Sequence, residues 1–166
     1  MHVERGMGHV AEIFPDKVLA RLPGRRAMGH TRYSTAGSSV VANAQPIVVK
    51  TSMGPVGIVH NGNLTNYEEL RARLEKRGSI FQSASDTETI VHLIAMSSAP
   101  ALEDQIKDAL RHLEGAYSLL FLTEDKLIAV RDPMGVRPLG IGKLGGNGRL
   151  AGSGDAKALL AVYRQS

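Results

Sequence analysis

The stretch GIVHNGNLTN, residues 57–66, decides how this chain is read. A β-prone apolar run ends at His60 and meets Asn61-Gly62, a polar residue and a glycine where the backbone turns tightly. Asn66 then opens a charged helix. A strand that ends by pointing an Asn amide and a Gly backbone N–H at one place makes an anion site. Two questions follow: which anion would sit there, and what would attack to create it.

Working outward, PIVVK (46–50) and PVGIVH (55–60) read as a strand pair around the turn TSMGP (51–55). Upstream, Pro15 begins a helical turn to Leu22, and RRAMGHTRYS (25–34) reads as a strand with Met28, His30 and Arg32 on one face. STAGSSVVANAQP (34–46) is loop-like. Downstream the spacing predicts three helices. Asn66 with Glu69 has the form of a capping box, Leu70 and Leu74 make the apolar stripe, and Gly78 is the stop. Ser85 and Glu88 open the second helix, which turns Ile90, Val91 and Ile94 inward. The third runs over 101–114, with Gly115 as terminator. AYSLLFLT and KLIAVRD then form a hairpin around Glu124-Asp125, and RPLGIGKL and GRLAGSG add two short strands around a Gly-rich turn. Strands at both ends with helices grouped between them give an α+β layered fold.

Composition narrows the function. The chain has 166 residues, 43% hydrophobic and 22% charged, enough for one domain that buries roughly 70% of its unfolded surface. No apolar run approaches the roughly 18 residues of a membrane span, and no secretory leader is present, so the expectation is a cytoplasmic protein with no membrane partner. The net charge is +4, but basic residues are scattered apart from RLPGRR (21–26) and RARLEKR (71–77). Glu75 lies four residues after Arg71, so the second run reads as a solvated helix face. Aromatics are only 4%, which leaves no stacking platform, and no nucleic-acid partner is expected. Cysteine is absent, which removes disulfides, thiolate metal sites and any thiol nucleophile. No metal site is expected.

Three places could carry chemistry. Arg32 lies near a strand end with Ser34 and Thr35 after it, Asn61 and Gly62 lie at the end of another strand, and Asp86 is in the first turn of a helix. A guanidinium clamps a carboxylate, a carboxylate takes an ammonium, and an Asn amide with a Gly N–H holds an oxyanion. Together they fit an α-amino acid whose side chain ends in a carbonyl. Each also has an ordinary reading: Asp86 favours the helix macrodipole, Arg32 is a rim arginine, and Asn61-Gly62 is a hairpin turn. His60 and His30 read as half-buried structural histidines and are left out of the site. Spacing alone does not show that the three segments meet.

The stretches GHTRYSTAGSS (29–39), NAQP (43–46), HNGNLTN (60–66), SDTE (85–88), GAYSL (115–119) and RDPMGVRPL (131–139) occur in this order. Over about Gly6 to Leu150 the chain resembles the glutaminase domain of the amidophosphoribosyltransferases, which open purine nucleotide synthesis. RYSTAGSS and RDPMGVRPL look like that family rather than the related glucosamine-6-phosphate synthases, asparagine synthetases or glutamate synthases. The resemblance implies an N-terminal-nucleophile fold, an αββα sandwich of antiparallel sheets, here incomplete at the N-terminus. It implies that Arg32 holds the α-carboxylate of L-glutamine with Thr35 beside it, that Asp86 takes the α-ammonium, and that Asn61 and Gly62 form the oxyanion hole.

In that family the attacker is an N-terminal cysteine whose own α-amine is the base, and this chain has no match for it. Ser34 and Thr35 are poor replacements. The reading is a partial glutaminase domain over 1–150 and a divergent tail over 151–166, where Gly154 stands in place of an expected Glu. No phosphoribosyltransferase domain, and none of its Mg²⁺, is expected in this chain, so no cofactor is. Three functional expectations follow: a fragment inactive alone, a non-enzymatic glutamine- or partner-binding module, or a fragment complemented in trans by a missing N-terminal segment or a transferase domain. Unpaired sheet edges would favour self-association.

Overall fold

Apolar side chains at every second residue build the central sheet, because successive strand residues face opposite sides. The computed structural model describes residues 1–32, 40–144 and 149–153. Strands β1 (Ile47–Thr51), β2 (Gly54–Leu64), β3 (Gly115–Leu122) and β4 (Leu127–Arg131) form one antiparallel sheet in the order β1-β2-β3-β4. The register pairs Ile58 with Phe121, His60 with Leu119 and Gly62 with Tyr117. Ile58, Tyr117, Leu119 and Phe121 thus share one face, and all are buried. Helices α3 (Tyr67–Lys76), α4 (Asp86–Met96) and α5 (Leu102–Leu110) cover that face. Leu74, Ile90 and Ile106 are their most deeply buried large apolar side chains. Each such side chain contributes about 1.5–3 kcal/mol by leaving water. β5 (Gly140–Leu144) and β6 (Arg149–Ser153) form a second, two-stranded antiparallel sheet. The N-terminal segment carries only two single-turn helices, α1 (Val10–Ile13) and α2 (Asp16–Leu19). No helix among the described residues is long and apolar enough to cross a membrane.

The strand pair, the β3–β4 hairpin, the last strand pair and the three main helices stand where periodicity puts them. The departures have physical reasons. Residues 25–32 form no strand, although Met28, His30 and Arg32 alternate as one would, because no described strand forms a ladder with them. Side chains tie them down instead: the His30 ring contacts the His60 carbonyl at 3.2 Å, and Arg26 donates to the Glu124 carbonyl at 3.0 Å. Asn66 caps α3 by position but makes no capping bond. Its amide donates to the His112 carbonyl (2.9 Å) and accepts from the Glu114 N–H (3.2 Å), fastening the start of α3 to the entry of β3. α5 stops at Leu110, and Gly115 is the first residue of β3 rather than a helix terminator.

Gly78 does stop α3. Its N–H donates to the Glu75 carbonyl and that of Ser79 to the Leu74 carbonyl, the paired bonds of a Schellman ending.

The RDPMGVRPL stretch forms a turn around one acid. Asp132, 3% exposed, accepts from the N–H groups of Val136 and Arg137, both at 3.0 Å, and its own N–H donates to Tyr117. The Arg137 N–H holds the Asp132 carboxyl below the usual aspartate range; desolvation opposes the shift, and the Val136 N–H adds to it. A depressed carboxyl contributes stability that is present above its unfolded pKa of about 3.9 and is lost as pH falls through its folded value. The urea midpoint of the chain is therefore expected to fall as pH drops from about 4 toward 2, and to fall less in Asp132→Asn. Equal acid losses in the two proteins would sink this assignment.

Candidate glutamine site on the open edge of β2

β2 is an eleven-residue strand, yet β1 pairs only with its first half, Gly54 to Ile58. Beyond Ile58 no described strand pairs with the β1-side edge of β2. In an antiparallel strand every second residue turns its N–H and C=O to the same edge. The His60 N–H is bonded to the Gln45 side chain, on the side away from β3, so His60, Gly62 and Leu64 all direct their backbone groups to the open edge.

Side chains fill two of these three places. At His60, Gln45 acts as a surrogate strand: its Oε1 accepts from the His60 N–H at 2.6 Å and its Nε2 donates to the His60 carbonyl at 3.4 Å. At Leu64, the Asp86 carboxylate accepts the backbone N–H at 3.2 Å. Between them, the Gly62 N–H faces the same edge and finds no acceptor among the described residues.

Asp86 stands at the start of α4, where Ser85 caps the helix by accepting the Thr87 N–H at 3.3 Å. Glu88 does not close a capping box. Its carboxylate, buried, takes the N–H groups of Gln82 and Ser83 and the Ser83 hydroxyl at 2.6–2.8 Å, fixing the loop before the helix. Asn43 adds a bond from the Ala84 N–H at 3.3 Å. The Asp86 carboxylate lies 3.3 Å from His60 Nδ1, with its side chain 21% exposed. Burial pushes the Asp86 carboxyl up, but the hydrogen bond and charge of His60 and the N–H groups of Leu64 and Thr87 together bring it below the usual range. It is an anion with one face toward solvent, suited to an ammonium. A carboxylate offers about four acceptor positions; here Leu64, His60 and Thr87 all lie against it, and its solvent-facing side is where a ligand's ammonium would approach.

Gly62 is needed for a reason other than a turn. The strand runs straight through Asn61-Gly62 to Leu64, against the sequence expectation that it ends there. A Cβ on Gly62 would lie 2.1 Å from the Ala116 carbonyl oxygen and 2.7 Å from the Tyr117 Cα. Only glycine lets β2 and β3 approach this closely.

Gly62 and Asp86 are thus brought to one edge, with Asn61 next to Gly62 on the strand, and His60, left out by the sequence reading, is what joins strand and helix. His60 is 4% exposed. Its backbone meets Gln45, its carbonyl meets the His30 ring, and its own ring meets Asp86 and, at 3.3 Å, the Thr87 hydroxyl. Arg32 follows two residues after His30 and is exposed; burial lowers the His30 pKa, the bond to the His60 carbonyl opposes this, and the charges of His60 and then Arg32 add to the lowering. Thr35 and Ser34 lie outside the described residues, as does the tail from Gly154. Sequence reasoning also missed Gln45 and Thr87 as partners. Both stand inside quoted stretches, NAQP and SDTE, but their contacts span 15 and 42 residues, beyond any local periodicity.

The chain belongs to the glutamine amidotransferase domain family, whose profile matches residues 30–161. Within that family its similarity is to the amidophosphoribosyltransferases. It is 56% identical over 138 residues to amidophosphoribosyltransferase 2 of Arabidopsis thaliana, covering 83% of this chain and 25% of that protein. It is 44% identical over 142 residues to the Bacillus subtilis amidophosphoribosyltransferase, covering 85% and 30%. The chain thus spans a quarter to a third of the length of these curated relatives. Among solved structures, the glutamine phosphoribosylpyrophosphate amidotransferase of Bacillus subtilis, complexed with ADP and GMP, superposes with a TM-score of 0.77 at 43% identity, over 84% of this chain and 30% of the other. A structure described as the allosteric regulatory enzyme of purine biosynthesis gives 0.80 at 44% identity. The expected N-terminal-nucleophile-type layered fold is therefore the fold of this chain.

Proposed function

We propose that the open edge of β2 binds L-glutamine, and that the chain is the glutamine-binding part of an amidophosphoribosyltransferase glutaminase. The observation that carries this is the alignment of the Gly62 N–H with the Asp86 carboxylate at Leu64 on one edge. Two residues of strand separate the Gly62 N–H from the Leu64 N–H by roughly 6.6 Å, and the carboxylate lies 3.2 Å from the latter. An extended glutamine spans roughly 6 Å from its ammonium to its side-chain carbonyl oxygen, on ordinary bond lengths. Asp86 holds the ammonium, Arg32 with Thr35 the α-carboxylate, and the Gly62 N–H with the Asn61 amide the carbonyl oxygen. The oxyanion that forms when the amide carbon is attacked is the anion this strand is built to hold.

The attack itself needs a nucleophile. No cysteine occurs in these 166 residues, so the chain alone binds and orients glutamine without releasing ammonia at an enzymatic rate. With a thiol supplied in trans it releases ammonia, which in the amidophosphoribosyltransferase reaction is used to make 5-phosphoribosylamine for purine synthesis. A second reading, a module that only binds glutamine, is favoured by that same absence.

Isothermal titration with L-glutamine, with ammonia assayed in the same sample, tests the proposal. Saturable binding without ammonia is expected. No binding up to about 10 mM would remove the glutamine reading, since a site offering both anchors supports at least millimolar affinity. Ammonia release by the chain alone would show a nucleophile other than cysteine.

A further inference from the structure

We propose that Gln45 is a positioning residue that sets the gap between the Gly62 N–H and the Asp86 carboxylate, and so selects the length of the bound amino acid. The inference rests on the glutamine reading above and goes beyond it, since the Gln45 amide is spent on His60 and Thr87 rather than on either anchor.

The Gln45 amide uses its hydrogen-bonding groups on two elements at once. Its oxygen and one N–H hold both backbone groups of His60 on β2. Its nitrogen also donates to the Thr87 hydroxyl, at 3.3 Å, in the first turn of α4. Thr87 Oγ1 in turn lies 3.5 Å from Asp86 Oδ1. The amide therefore ties the strand that carries Gly62 to the helix turn that carries Asp86. Its own backbone is held between two fixed points: Asn43 is bonded to Ala84, and β1 begins at Ile47. His60 closes the loop through its ring to Asp86. A hydrophobic side chain at 45 could fill the space, but it would leave the His60 N–H without its partner, the His60 carbonyl with the His30 ring alone, and α4 without its amide tie to β2. A change in that gap alters which ligand reaches both anchors, and small misplacements of this kind cost far more than the contacts themselves.

The test uses Gln45→Met, which keeps the volume and removes the polar bonds. Binding of L-glutamine and of L-asparagine, one methylene shorter, is measured by titration on the whole chain before and after the change. The original chain is expected to prefer glutamine by about tenfold or more, and the variant to lose glutamine affinity about tenfold while its preference falls to about threefold or less. A side chain that merely stabilises the fold would weaken both ligands equally, and that result overturns the proposal. The second measurement needs no ligand. In amide NMR spectra, Gln45→Met is expected to move the Gly62 and Leu64 resonances and speed exchange of the His60 amide, while Leu74 and Phe121 stay in place. If the original chain binds no glutamine, the function reading fails by itself, and the spectra still judge the positioning claim: unmoved Gly62 and Leu64 resonances refute it.

Discussion

Asp86→Asn is expected to weaken L-glutamine binding by about a hundredfold, the ~3 kcal/mol of a charge-assisted contact to an ammonium. The substitution keeps the side chain's shape and an oxygen that accepts the Leu64 N–H, so the hold of α4 on β2 survives. It removes the charge that His60 and the backbone donors sustain in a partly buried place. The melting temperature is expected to change by less than about 5 °C. Titration calorimetry beside a thermal scan separates the two effects. A loss of affinity under about threefold would mean that the ammonium is held elsewhere.

Gly62→Ala is expected to destabilise the chain by about 3 kcal/mol or more, a melting shift near 10 °C at this chain length. The added methyl would overlap the Ala116 carbonyl and the Tyr117 Cα, both backbone atoms in the middle of the sheet. Neither can move without parting β2 from β3. Gly29→Ala is the control, since a Cβ there meets nothing within 4 Å. If the two alanine variants melt together, the strands are not as close as described. The experiment also separates two reasons for a glycine next to an asparagine, because alanine in an Asn-Gly turn would cost only the left-handed backbone strain of about 1–2 kcal/mol.

The same pair shows what the sequence could and could not convey. Helices α3 and α4 and the strand pairs announce themselves through short-range spacing: Leu70 with Leu74, Ile90 with Ile94, and the alternation from Val56 to His60. Burial decides each of these locally, so periodicity reads them. Asn61-Gly62 carries a local signal with two causes, a turn or a close approach, and only the partner strand distinguishes them. Residues 25–32 carry the alternation of a strand without a ladder to join. The binding residues Asp86, Asn61 and Gly62 were legible as chemical types and through the family resemblance. The Gln45, His60 and Thr87 group was not, since a buried polar network is defined by who meets whom across the fold. His60 in particular was read as ordinary and turned out to be where the segments meet.

The half-paired edge of β2 also bears on how the chain behaves in a crowd. An open row of backbone donors and acceptors invites strands from other molecules to add on, the usual route to aggregation. Here an amide and a carboxylate already occupy the places at His60 and Leu64. An incoming strand would have to expel both, and bring backbone against the anionic Asp86, to gain a ladder only three places long. Strand addition here, the route by which unpaired edges would favour self-association, is thus opposed by side chains at two of its three places.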